Sequence, residues 1–201
     1  DYTGDIGTVL DAVRIEGLPT FLLGHSMGGC IALDFALDHQ ERLTGLVLSG
    51  PAVVPGSDMP PILVTLAPIL GRIVPGLPSK ALRAASISRD PKVVADYDAD
   101  PLVVRSPIPA GLGGAMISTM QSFPKRLPSL RIPLLVMHGG KDVLAEPDGS
   151  RMVEKLAGSS DKTLIIYDEL FHEIFNEPER DTVIATAVDW LSAHADAAHG
   201  S

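Results

Sequence analysis

Thr20-Phe21-Leu22-Leu23-Gly24-His25-Ser26-Met27-Gly28-Gly29 decides the fold. Its first four residues, bounded by Pro19 and Gly24, form a short continuous apolar run of the kind found in strands buried on both faces of a parallel sheet. Residues 27–39 then read as a helix. Between strand and helix lies G-x-S-x-G, in the context a nucleophile elbow requires. Ser26 must sit on a sharp, strained turn, and Gly24 and Gly28 remove side chains that would collide there. The helix that follows points backbone N–H groups and its positive dipole end at a reacting carbonyl. The N–H of Met27 is one expected oxyanion donor. The competing reading is a glycine-rich turn that merely starts a helix.

Outward from this stretch the chain alternates between helix and strand. Ile6, Val9, Leu10 and Val13 follow helical spacing, ended near Gly17 and Pro19. Leu46-Val47-Leu48 is a second buried strand, stopped by Gly50 and Pro51. Leu134-Leu135-Val136-Met137 and Thr163-Leu164-Ile165-Ile166-Tyr167 are two more, separated by a helical stretch at 149–157. Val183, Ile184, Ala187, Val188 and Leu191 mark a final amphipathic helix, and 197–201 is an expected frayed tail. This alternation implies an open parallel α/β sheet. The expected organisation is a core at 1–50 with the elbow, an insertion at 51–130, and a second core part at 131–196.

Residues 51–130 have a different texture. Thirteen of the 17 prolines fall there, and no strand–helix alternation is visible. Within it, 62–74 is apolar nearly all round with Arg72 as its only charge, so it must face a core, a ligand tunnel or lipid. Pro68 and Gly71 are expected to interrupt it.

A serine hydroxyl needs a base, and the base needs an orienting carboxylate. Of the six histidines, His172 lies just beyond strand 163–167, at the carboxyl end where open α/β sheets keep their sites. His25 is expected to point away from the site, and His138 to pack under the loop that follows it; His39 lies at a helix end, and His194 and His199 lie near the tail. Asp142 follows strand 134–137 by one turn, and the order Ser26, Asp142, His172 is that of a Ser…Asp…His triad. Asp148, Asp168, Glu169 and Glu173 are the rival acids. Glu173, Glu177 and Arg180 read as helix-entry charges and surface pairs.

Composition sets the outer limits. The 201 residues are 45% hydrophobic and 20% charged, near the globular averages of about 45–50% and 25%. Sixteen basic against 25 acidic side chains give a net charge of −9, which disfavours nucleic acid and anionic headgroups as partners. The single cysteine, Cys30, excludes an internal disulfide. It lies one helical turn after Ser26 and reads as a small buried residue, the alternative being a thiol whose alkylation blocks the site. No run of about 18 apolar residues is present, and the sequence opens without a visible signal peptide.

Gly24-His25-Ser26-Met27-Gly28-Gly29, Met137-His138-Gly139-Gly140-Lys141-Asp142 and Tyr167-Asp168-Glu169-Leu170-Phe171-His172-Glu173 together resemble the monoacylglycerol lipase family of serine hydrolases. Ile87-Ser88-Arg89-Asp90-Pro91 and Phe175-Asn176-Glu177-Pro178-Glu179-Arg180 are similar to its bacterial, especially actinobacterial, members. The resemblance covers essentially the whole chain. It implies an α/β-hydrolase fold, here the C-terminal portion of the parallel sheet, with an inserted helical cap. It implies Ser26 as nucleophile, Asp142 as acid, His172 as base and Met27 as oxyanion donor, with no cofactor and no metal. The implied substrate is a small lipid ester, a monoacylglycerol cleaved to fatty acid and glycerol. The cap would form an acyl channel that touches membranes, which suits the apolar run at 62–74. A cytoplasmic or membrane-peripheral location goes with that reading; oligomeric state is left open.

In the family several strands precede the helix that opens this chain, and a His-Gly loop after one of them gives the second oxyanion N–H. The resemblance therefore implies an N-terminally incomplete hydrolase whose elbow strand becomes an exposed apolar edge. Alternatives left open are a lysophospholipase or general carboxylesterase, and an inactive fragment or non-catalytic lipid-binding module on the same scaffold.

Overall fold

Four short apolar strands are held together as one parallel sheet in the order β1-β2-β3-β4, with β1 Phe21–His25, β2 Gly45–Ser49, β3 Leu134–Gly139 and β4 Lys162–Tyr167. The computed structural model describes residues 2–78 and 84–199. Leu22 pairs with Leu46, Leu46 with Leu134, and Leu134 with Lys162, so all four strands run in register toward one carboxyl edge.

The two-residue period of the strands sorts the core into two layers. Leu46, Leu48, Leu134 and Val136 face one side, against α2 (Met27–His39), the end of α5 (Ala110–Arg126) and α6 (Pro147–Leu156). Val47, Leu135 and Met137 face the other, against Val183 and Ala187 of α7 (Arg180–His199). The helix expected at 27–39 is found at those residues, and the four strands appear within two residues of expectation. The last helix runs through His199, past the expected end at 196; Gly200 and Ser201 lie outside the described residues.

Two expectations need correction. β1 is not buried on both faces: it pairs with β2 alone among the described residues, and Leu23 is 47% exposed. The opening helix, α1 (Tyr2–Val13), buries Leu10 and packs Ile6 on the core, whereas Val9 and Val13 are more than half exposed. That part of its face borders an apolar groove beside β1, lined by Ile6, Leu22, Leu23 and Ile31.

Between β2 and β3 the described residues include three α-helices, α3 (Pro61–Ile73), α4 (Pro91–Ala99) and α5. α3 continues through Pro68, which was expected to interrupt it. It packs closely on α5, Gly71 lying against Ala110 and Gly114 against Ala67. Residues 79–83, within the expected insertion, lie outside the described residues. No helix among the described residues is long and apolar enough to cross a membrane.

Candidate active site

β1 ends at His25 and α2 begins at Met27, so the whole reversal falls on Ser26. Its φ of 54° and ψ of −121° make it the one non-glycine residue with positive φ among the described residues. Such a conformation costs about 1–3 kcal/mol and persists only where its surroundings impose it. Here the Ser26 N–H donates to the Ser49 carbonyl (3.0 Å), and the Ser26 carbonyl accepts from the N–H groups of Gly29, Cys30 and Ala52. The end of β2 thus locks the turn that follows β1.

The glycines of this turn are not equivalent. A Cβ on Gly24 would lie 2.4 Å from the Gly28 carbonyl oxygen, and one on Gly29 would lie 2.8 Å from Pro51 Cβ. A Cβ on Gly28 would meet nothing within 4 Å. The expectation that Gly28 clears space is therefore wrong, and Gly29 has that role. Met27 takes the first position of α2, where helix N–H groups have no intrahelical acceptor.

Beyond β3, Asp142 sits in a tight turn, its N–H donating to the Gly139 carbonyl. Its buried carboxylate is fully engaged. Oδ1 accepts from the N–H groups of Leu144 (2.8 Å) and Ala145 (3.0 Å); Oδ2 accepts from His172 Nδ1 (2.6 Å) and His138 Nε2 (3.1 Å). Burial by itself would raise this carboxyl, but the hydrogen bonds from His138, His172 and Ala145 override it and hold it well below the usual carboxylate range. An ionised Asp142 can only accept, so His172 carries its proton on Nδ1 and presents Nε2 as the basic nitrogen.

The loop carrying His172 is stitched to the loop carrying Asp142. The N–H of Gly140 donates to Tyr167 and that of Lys141 to Leu170. On the other side stands Gly50, the residue after β2, with a φ of 48°. A Cβ there would lie 3.4 Å from His172 Nδ1 and 3.5 Å from Asp142 Oδ2. The elbow's own neighbour completes the cluster: the ring centroids of His25 and His172 are 4.7 Å apart. The carboxyl ends of β1, β2, β3 and β4 therefore carry Ser26, Gly50, Asp142 and His172 along one edge of the sheet, where open α/β sheets keep their sites.

Sequence reasoning misplaced three side chains. His25 does not point away from the base; its Nδ1 meets Ser49 Oγ at 3.1 Å and its Nε2 faces Glu173 Oε1 at 3.3 Å. Glu173 is no surface charge: it is half-buried, and His25 beside it outweighs burial and holds its carboxyl low. Glu177 is wholly buried, taking the Arg89 N–H on Oε1 (2.7 Å) and Arg89 Nε on Oε2 (2.5 Å). No local pattern signals these pairs, because each partner is far away in sequence.

The remaining rivals fall away. Asp148 is exposed and near Arg151, Asp168 is exposed, and Glu169 is exposed and paired with Lys141. His39 lies against Phe35, while His194 stacks on Trp190 and faces Asp161. Cys30 is buried, and burial, with Asp34 adding, pushes its thiol up to about 12, so it is not a reactive thiolate. Ser26 in its strained turn, His172 with its tautomer fixed and the buried Asp142 carboxylate thus stand just past β1, β4 and β3.

Residues 1–179 match the family model described as serine aminopeptidase, S33. The chain is 44% identical to a monoacylglycerol lipase of Mycolicibacterium smegmatis over 88% of its own length and 63% of that protein's. It is 32% identical to human monoglyceride lipase over 95% of its length and 65% of the relative's. The chain thus spans just under two thirds of these relatives. The crystal structure of Paleococcus ferrophilus monoacylglycerol lipase superposes with a TM-score of 0.87 at 31% identity, covering 96% of this chain and 74% of that one. The fold is that of the α/β-hydrolases.

Proposed function

The chain belongs to the serine aminopeptidase S33 family, where it groups with the monoacylglycerol lipases, and on that premise we propose that it is a serine esterase that cleaves monoacylglycerols to fatty acid and glycerol. The observation that carries this reading is the 2.6 Å bond from His172 Nδ1 to Asp142 Oδ2, set at the same sheet edge as the strained Ser26.

In the proposed reaction His172 Nε2 takes the Ser26 hydroxyl proton as Oγ attacks the ester carbonyl. Asp142 fixes the imidazole tautomer and stabilises the imidazolium. The Met27 N–H donates to the oxyanion as α2 aims its positive end there. His172 then gives its proton to the glycerol oxygen, which leaves, and Ser26 holds the acyl group as an ester. Water deprotonated by His172 releases the fatty acid and restores the serine.

The substrate side rests on the cap. Ile62, Leu66, Ile69 and Ile73 of α3 are exposed, on a helix whose one charge is Arg72. We place this surface against lipid, where a monoacylglycerol partitions. A fluorophosphonate should label wild-type protein, with the adduct mapped to Ser26 by mass spectrometry, and should not label Ser26→Ala. Turnover of monoacylglycerols of graded acyl length is the companion assay; a preference for acetyl esters over medium and long chains would count against the lipid reading.

A further inference from the structure

His138 closes β3 and is fully buried. Its Nε2 lies 3.1 Å from Asp142 Oδ2 and 3.1 Å from the Ala145 carbonyl oxygen. Two acceptors around one ring nitrogen require that nitrogen to carry the proton. Its Nδ1 lies 2.6 Å from Ser150 Oγ, on α6. With the ring proton on Nε2, Nδ1 accepts and the Ser150 hydroxyl donates. Ser150, His138 and Asp142 thus have the connectivity of a catalytic triad. Ser150 and His138 are both 0% exposed, however, so no substrate reaches that serine.

We propose that His138, with its tautomer set by Ser150, is a positioning residue for the reaction assigned above. It pins Asp142 Oδ2, the same oxygen that receives His172 Nδ1–H. Without it, Oδ2 keeps His172 as its one donor, and the position of that oxygen rests on the mobile base alone. The Leu144 and Ala145 N–H groups hold only the other oxygen. The titratable groups facing His138 are Asp142, from the turn after β3, and beyond it His172, from the loop after β4. Accepting a hydrogen bond at Nδ1 polarises the ring and strengthens donation from Nε2. Ser150 therefore acts on Asp142 through two bonds, and on the base through three.

The inference rests on the triad reading, and its test separates the two. His138→Leu removes the donor at similar size, His138→Gln restores an N–H that can reach Asp142, and Ser150→Ala removes only the hydroxyl. Two readouts are taken on the whole chain. One is the far-downfield proton resonance of His172 Nδ1–H, assigned by its loss in His172→Ala. The other is kcat and KM on a monoacylglycerol. His138→Leu should shift the resonance and lower kcat about tenfold or more, as expected for losing a hydrogen bond to a charged group, with KM within about twofold. His138→Gln should recover most of both, and Ser150→Ala should move the resonance in the same direction as His138→Leu by less. An unmoved resonance in His138→Leu, or equal loss in the Leu and Gln variants, overturns the proposal. Should His138→Leu fail to fold, an unmoved resonance in Ser150→Ala overturns it instead. A wild type that turns over no ester would sink the functional reading, while the resonance would still decide the role of His138.

Discussion

Ser26 is held in its strained conformation by backbone bonds to the end of β2, and the glycines around it differ in the space they leave, which single substitutions should tell apart. Gly29→Ala drives a methyl into Pro51 and should cost about 1–3 kcal/mol in chemical denaturation, as overpacking does. Gly28→Ala meets open space within a helix and should be neutral or stabilising by up to about 1 kcal/mol. Cys30 should stay unmodified by a maleimide in native protein and take one equivalent in denaturant, read by intact mass; native-state modification that abolishes Ser26 labelling would restore the reactive-thiol reading. Asp142 links the site to pH. Its carboxyl titrates lower in the folded chain than in the unfolded one, so its stabilisation is present above the ordinary value of about 3.9 and is lost as pH falls toward the depressed value. Denaturation midpoints should therefore fall below about pH 4 in wild type. Asp142→Asn should show a shallower fall across the same window.

At the scale of elements, the segment entering α4 is fastened to the loop that carries the base. Arg89 grips Glu177 and Glu179, Ser88 Oγ donates to the Asn176 carbonyl, and the Glu173 N–H donates to the Ile87 carbonyl. Arg89→Ala leaves Glu177 buried without its cation and should cost about 3 kcal/mol or more. Because Glu173 adjoins His172, the same variant should slow fluorophosphonate labelling at Ser26 even where folding is complete. The four strands and α2 were legible because each is a short apolar run or a periodic face bounded by glycine or proline. α4 was not, although Asp90-Pro91 is a readable start: Asp90 caps by accepting the Lys92 N–H and Pro91 fills the first turn. Proline density reads as a break in texture, yet Pro61, Pro91 and Pro147 all open helices. Ser26, Asp142 and His172 were readable from their places just past strands. The pairs His25–Glu173 and Arg89–Glu177 were not, since only the fold makes them neighbours.

Taken whole, the molecule sets a net charge of −9 against an exposed apolar surface on α3 whose one charge is Arg72. Binding to lipid should therefore be driven by burial rather than by headgroup charge. The chain should sediment with neutral phosphatidylcholine vesicles, little affected by salt, and Ile69→Asp with Ile73→Asp should release it without changing turnover of a short soluble ester. Salt-sensitive binding that needs anionic lipid would refute this. The long stretch of chain between β2 and β3 has a consequence in time. β2 and β3 pair directly, so the chain must close a loop of residues 50–133 before the sheet can join. Closing a flexible loop of that length costs about 4 kcal/mol in chain entropy, and long-range parallel pairing is slow. During synthesis the serine turn emerges well before the acid and the base. On the proposed mechanism Ser26 thus waits, unactivated, until the late strands dock, and a half-made chain would carry only a harmless hydroxyl.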